Sequence, residues 1–296
     1  MGRFRLRGRA RRKRNRIPRP DRIPIRAIVP NLITSLAACA GITSITIAAH
    51  NYALSIAGTP ATPRQWIMGL VALLIACICD GVDGRVARLL KASSKLGAEL
   101  DSLADFVNFG VAPALFVYFW VSSTLGEGAV HTRRMLLAFA LFYALCDAFR
   151  LARFNTMLEK PPLPYWKHYF TGVPAPGGCW MVVTPACFAL ALELRGREAA
   201  LFLQHPVFAA FMLFFVGALM ASRLPTISLK SMHIPKPWQL PVMATLLLAV
   251  AFLVASFWMT LAVGGFLYIL SVPLTCRLFV RGRDRYLREN SSAPSP

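Results

Sequence analysis

The stretch "CDGVDGRVARLLKASSKLGAELDSLADF", Cys79 to Phe106, lies between two strongly apolar segments. It carries Asp80, Asp83, Glu99, Asp101 and Asp105, five of only thirteen acidic residues in the chain. A charged side chain near a bilayer centre costs at least ~2.5–3.5 kcal/mol on insertion scales. Several such groups together need a common compensating partner.

The stretch reads as two helices joined by a short polar turn, Lys91 to Lys95. A turn this short makes the two helices antiparallel neighbours. At about 100° per residue, Asp80, Asp83, Gly84, Ala87 and Arg88 share one face of the first helix. Ser94, Gly97, Asp101 and Asp105 form a narrower stripe on the second, while Glu99 points away as a solvated or salt-bridged residue. Counted from Ser93, Asp83 and Asp101 stand at similar heights, as do Asp80 and Asp105, at a rise of ~1.5 Å per residue. Four carboxylates therefore converge on one small volume.

Divalent metal is the natural compensation for such a group. All-oxygen ligation points to Mg2+ or Mn2+, with Ca2+ as a further option, and four Asp can share two ions. Gly81, Gly84 and Gly97 leave room for a ligand or a facing backbone, and Arg88 can hold a phosphate bidentately. Together these residues describe a diphosphate site. A buried ion-pair network has too few cations for four Asp. A cation transporter is the rival on chemistry alone, but it wants carboxylates near mid-bilayer with access from both sides.

The rest of the chain supplies the membrane. It has 296 residues, 56% of them hydrophobic, and a mean hydropathy of +0.53, too apolar for an ordinary soluble domain. A transmembrane helix needs ~20 apolar residues. About eight candidate spans fall near 31–56, 66–90, 96–122, 135–157, 174–193, 205–221, 238–256 and 259–279, so the expected fold is all-α, a polytopic membrane helix bundle. Its domains are a basic cytosolic tail over 1–26, a membrane domain over 27–281 and a polar cytosolic tail over 282–296.

The formal charge of +20 is unevenly placed. Residues 1–26 hold twelve Lys/Arg and one acid, Asp21, and five Arg follow Cys276. Beside apolar spans this is a topogenic, lipid-facing pattern, and no nucleic-acid partner is expected. Eight spans put both termini in the cytosol, with Arg64, Arg133, Arg134, Arg195 and Arg197 as exceptions on the outer side. Leu36-Ala37-Ala38-Cys39 has the look of a lipoprotein-processing box. The apolar core before it is broken by Pro30, Asn31 and Thr34, so the segment reads as a retained first span. The seven Cys are scattered and the five His isolated, so neither a disulfide framework nor a zinc site is expected.

The acidic stretch also matches a known pattern. It reads D-x-x-D-G-x-x-A-R, eight residues, then G-x-x-x-D-x-x-x-D, from Asp80 through Asp105. This resembles the signature of the CDP-alcohol phosphatidyltransferase family at full spacing. "PNLIT" (Pro30 to Thr34), "RLARFN" (Arg150 to Asn155) and "FTGVPAP" (Phe170 to Pro176) resemble segments of the family's bacterial serine-transferring branch, over about 27–180. One departure is Ala37 and Ala38, where relatives often carry a second Asn after the first-span motif.

The resemblance implies a helix bundle in the bacterial inner membrane, usually a homodimer, with its active site facing the cytosol. It implies transfer of a phosphatidyl group from CDP-diacylglycerol to an alcohol, with release of CMP. Asp80, Asp83, Asp101 and Asp105 would be the metal ligands, with Asp105 also the proton acceptor. Asn31, Thr34, Gly84, Arg88 and Ser94 would touch the CDP-lipid. Arg150, Arg153 and Asn155 would receive L-serine by its carboxylate, although the two arginines also suit positive-inside anchoring. Asp147, one turn before Arg150, is placed to pair with it. A choline acceptor would want an aromatic cage, for which Tyr165, Trp166, Tyr169 and Phe170 are available. Glycerol 3-phosphate or inositol phosphate would ask for additional basic residues.

Overall fold

The computed structural model describes residues 28–92, 94–157, 169–196, 202–227 and 238–291. The basic tail over 1–26 and the aromatic pair Tyr165 and Trp166 lie outside the described residues, as do the side chains of Tyr169 and Phe170.

Every apolar run read from the sequence is helical. The order is α1 (Ile28–Ile56), α2 (Pro63–Leu89), α3 (Lys95–Asp105), a π-helical segment (Phe106–Val111), α4 (Ala112–Ser122), α5 (Val130–Met157), β1 (Tyr169–Thr171), α6 (Ala175–Glu193), α7 (Pro206–Ala221), β2 (Pro225–Ile227), α8 (Gln239–Ala255) and α9 (Phe257–Ser291). α3, the π segment and α4 make one continuous span, Lys95–Ser122. Among the described residues, six helices are long and apolar enough to cross a membrane. α7 and α8, of 16 and 17 residues, are apolar but shorter. The chain is a helical membrane bundle, and the count of long spans is six where the sequence reading had about eight. The difference lies in these two short helices. α9 stays helical through Ser291, past the 281/282 boundary drawn from polarity alone.

Helix ends follow local chemistry. α2 begins with Thr62 as N-cap and Pro63 in the first turn, and the Thr62 backbone N–H donates to Gln65 Oε1 at 2.7 Å. α3 begins with Ser94 as N-cap, whose Oγ accepts from the Gly97 N–H at 3.0 Å. α6 has Pro174 as N-cap and Pro176 in its first turn, and α7 starts on Pro206.

α1 packs along α2, α5 along α7 and α6 along α9. α6 is the most enclosed of the six long spans: Met181, Val182, Ala186, Ala189 and Leu190 are all but inaccessible. Small residues bring the helices together, as bilayer packing demands. A Cβ on Gly69 would run into Phe116, one on Gly178 into Met220, and one on Gly264 into Trp180. Large apolar side chains cover the outside, among them Leu240, Leu247 and Val254 on α8, which suits contact with lipid.

Two expected exceptions to the charge pattern have local partners. Arg133 donates from Nη2 to the Leu125 carbonyl at 2.6 Å and lies over the Tyr52 ring at 6.0 Å. Arg195 donates from Nη2 to Ser256 Oγ, joining the end of α6 to the α8–α9 junction. β1 and β2 pair antiparallel, with Phe170 opposite Thr226.

Candidate active site

Lys91 ends α2 in the left-handed region, with φ 49°, and so turns the chain sharply toward α3. The two helices do not pack on each other as closely as the short turn implied. Each has α1 as its main helical neighbour, and a cleft stays open between their carboxylate-bearing faces. Glycine explains the geometry on both sides. A Cβ on Gly97 would lie 2.9 Å from Asn31 Oδ1, so glycine is what lets α1 and α3 come together here. Gly84 has nothing within 4 Å of its Cβ position, so the α2 wall stays open.

The cleft is a cavity of about 240 Å3. Asn31, Thr34, Gly84, Arg88 and Ser94, the five residues expected at a CDP-lipid, all line it. Asp83, Gly97 and Asp101 complete its polar wall. Ser94, Gly97 and Ala98 form the first turn of α3, so the positive end of that helix dipole borders the cavity, as does the exposed Arg88. Both features suit phosphate oxygens. Glu99 is exposed and not part of the wall.

Asp80, Asp101 and Asp105 each place a carboxylate oxygen within 4.8 Å of the others. All three are half-buried, and Asp105 Oδ1 is buried without a hydrogen-bond partner among the described residues. Hard oxygen donors at such mutual distances fit Mg2+, Mn2+ or Ca2+. Asp83 stands apart from this trio. It is 3% exposed, and its Oδ2 accepts from Thr34 Oγ1 at 2.5 Å. Thr34 is thus tied to a carboxylate as well as lining the cavity. The convergence expected of four Asp holds closely for three.

On the far side of Asp105 the helix changes pitch. The π segment turns Asn108 toward Gly41 of α1 and Gly110 toward Asp147 of α5. Tyr143 is fully buried, and its hydroxyl donates to the Phe109 carbonyl at 2.9 Å, inside the π segment. π turns inside α-helices are frequent at functional sites.

Of the three residues expected at the acceptor, Arg150 interacts electrostatically with both Asp105 and Asp147. Arg153 is engaged elsewhere. Its Nη1 donates to Ala221 O at 2.8 Å, and its Nη2 to Ser222 O at 2.9 Å and Met220 O at 3.2 Å. These bonds cap the C-terminus of α7, where a cation is favoured. Asn155 Nδ2 donates to Ser102 Oγ at 3.0 Å, which ties α5 to α3 one residue past Asp101. Sequence reasoning did not single out Asn108, yet a lone Asn in the apolar run Phe106–Val111 was a visible signal. It is 1% exposed, and neither side-chain polar atom has a hydrogen-bond partner among the described residues.

The profile of the CDP-alcohol phosphatidyltransferase family matches residues 27–221. The chain is 34% identical over 257 residues to the CDP-diacylglycerol–serine O-phosphatidyltransferase of Mycobacterium leprae, covering 86% of this chain and 77% of that protein. To the Helicobacter pylori (strain 26695) protein of the same name it is 36% identical over 167 residues, 55% of this chain and 62% of that one. To the Saccharomyces cerevisiae protein of that name it is 37% identical over 175 residues, 56% and 57% of the two chains.

Proposed function

Because the chain belongs to the CDP-alcohol phosphatidyltransferase family, we propose that it transfers a phosphatidyl group from CDP-diacylglycerol to L-serine, giving phosphatidylserine and CMP. The observation that carries this reading is one cavity that joins Asn31, Thr34, Gly84, Arg88 and Ser94 to Asp83 and Asp101, with the Asp80–Asp101–Asp105 trio beside it. Serine is favoured by the names of the relatives and by Arg150, whose guanidinium interacts electrostatically with Asp105.

Each residue has a task in this reaction. Arg88 and the amide groups opening α3 hold the diphosphate oxygens. Gly84 lets the nucleotide lipid lie against α2, and Asn31 and Thr34 border it from α1. Arg150 receives the serine carboxylate, and Asn155 fixes α5 against α3 beside it. Asp105 accepts the proton of the serine hydroxyl as its oxygen forms a bond to the phosphatidyl phosphorus. The bond from that phosphorus to the CMP oxygen breaks, and CMP leaves. Divalent metal, held by Asp80, Asp101 and Asp105 with Asp83 alongside, would neutralise the diphosphate and the leaving group. Four carboxylates match the charge of two Mg2+ or Mn2+ ions, with Ca2+ as the third option.

The protein works as a homodimer in the bacterial inner membrane, with the cavity and both termini facing the cytosol. α7 and α8 cross the bilayer despite their length and bring the spans to eight. The basic residues of the N-terminal tail and of Arg277 to Arg288 support that orientation. An acceptor panel tests the reading. Purified protein with CDP-diacylglycerol and Mg2+ or Mn2+ is offered serine, glycerol 3-phosphate, inositol phosphate and choline, and CMP release is followed. Serine is expected to drive release far above the others. Release driven by another alcohol would displace serine. Cation flux in proteoliposomes without CDP-lipid would displace the transferase.

A further inference from the structure

Asn108, Phe109 and Gly110 are the buried residues of the π segment. In an α-helix the Phe109 carbonyl would accept the N–H of residue 113, but Pro113 has none to give. A donor comes from across the bundle: the Tyr143 hydroxyl on α5, fully buried, at 2.9 Å. Leaving a buried carbonyl without a donor is costly, so this bond matters more than an exposed one would. Two close approaches hold the same segment. A Cβ on Gly41 of α1 would collide with Asn108 Oδ1, and one on Gly110 would come within 2.8 Å of Asp147 Oδ2 on α5. Three successive residues of the π segment are therefore gripped from two helices. What is held is a place along the span. After the segment, α4 is fixed in the core by Phe116, Val117, Trp120 and Val121. Before it, α3 carries Asp101 and ends on Asp105, which adjoins the segment. Each residue of a helix turns about 100° round the axis, so a π turn that slipped toward α3 by one residue would carry Asp105 about that far round.

We propose that Tyr143 is a positioning residue for the transfer: by donating to the Phe109 carbonyl it pins the π turn where it stands, and so keeps Asp105 beside Asp80 and Asp101. The inference rests on the phosphatidyl-transfer reading above and adds to it a residue that acts through Asp105 without touching a substrate. Pro113 leaves no N–H at its own position to take over if the hydroxyl is lost. Tyr143→Phe keeps the ring and its packing and removes only the donor, so it separates the pin from the bulk of the side chain.

The test uses the full chain with CDP-diacylglycerol, serine and Mg2+ or Mn2+. In Tyr143→Phe, kcat for CMP release is expected to fall at least about fivefold, the factor set by stranding one buried acceptor. KM for CDP-diacylglycerol should stay within about twofold of the native value, because the cavity is lined from α1, α2 and the start of α3. A hydroxyl that only stabilised the bundle would lower Tm and leave kcat unchanged well below the melt, and that result would overturn the proposal. Hydrogen exchange gives a local readout. In the variant it should quicken at least about fivefold over Phe106–Val111 and not over α7, whereas faster exchange in both alike, or in neither, would overturn the pin. The native protein gives an arm that does not need the variant to fold: exchange over Phe106–Val111 should be as slow as over α4, and exchange more than about tenfold faster would overturn the pin. Absence of CMP release by the native protein with every acceptor would overturn the phosphatidyl-transfer reading beneath it, which is a distinguishable failure.

Discussion

Gly84 lies in the interior of α2 on the wall of the cavity, and a Cβ there would meet no protein atom within 4 Å. Glycine inside a helix is destabilising by ~0.5–1 kcal/mol relative to alanine. With no clash to offset that gain, Gly84→Ala should stabilise the protein by up to about that amount, a rise in Tm of roughly 1–3 °C for a chain of this size. The same methyl intrudes on the space proposed for CDP-diacylglycerol. Overpacking typically costs ~1–3 kcal/mol, which is roughly a 5- to 150-fold loss of affinity. The variant is therefore expected to be more stable and yet to show a raised KM for CDP-diacylglycerol, measured by CMP release in mixed micelles beside a thermal melt. Gly97→Ala is the contrasting control. Its Cβ would sit 2.9 Å from Asn31 Oδ1 and 3.1 Å from Ser94 Oγ, so stability and activity should fall together. If Gly84→Ala raises Tm but leaves the KM within about twofold of the native value, the nucleotide lipid does not lie on this face of α2 and the reasoning fails.

Asp101→Asn, or excess chelator with the native protein, should remove most CMP release while CD shows the helices intact; full activity in either would refute the metal reading. Arg150→Ala should raise the KM for serine with CDP-lipid binding unchanged, whereas Arg153→Ala should chiefly lower stability, by about 2 kcal/mol for three lost charged hydrogen bonds at a partly exposed helix end, read as a lower Tm. The reverse pattern would exchange their roles. Deleting residues 2–20 should leave catalysis in detergent intact and weaken binding to anionic vesicles by up to ~1 kcal/mol for each basic residue near the surface, and loss of catalysis in the folded variant would place the tail in the site.

What the sequence made legible was set by short-range periodicity. The carboxylate stripes on α2 and α3, the turn between them and the eight apolar runs all follow from helical spacing, and the structure has helices at each of them. The cleft was only half legible. Ser94 and Gly97 pointed to it, but that α1 packs on α3 as well as on α2 involves Asn31 meeting Gly97, a contact between residues 66 apart that no local pattern encodes. The role of Arg153 was hidden for the same reason, since its carbonyl partners lie 67 to 69 residues away. The π segment was invisible because Phe106–Val111 carries no Pro and its lone Asn108 signals a buried polar group rather than a change of helical pitch; the Phe109 carbonyl within it is met by Tyr143, 34 residues on. Membrane-crossing counts are also not a matter of apolarity alone, since α7 and α8 have the composition but only 16 and 17 residues.

The fate of serine tests phosphatidyl transfer, with Asp105 as its general base. The native protein and Asp105→Asn, each reconstituted with CDP-diacylglycerol and divalent metal, are given isotopically labelled L-serine, and labelled lipid and CMP are measured together with CDP-lipid affinity. The native protein should produce labelled phosphatidylserine and CMP in equal amounts. Asp105→Asn should bind CDP-diacylglycerol nearly normally but lose transfer by the ~10²–10⁴-fold that a general base typically contributes. CMP formed without labelled lipid, or near-normal turnover in Asp105→Asn, would contradict it.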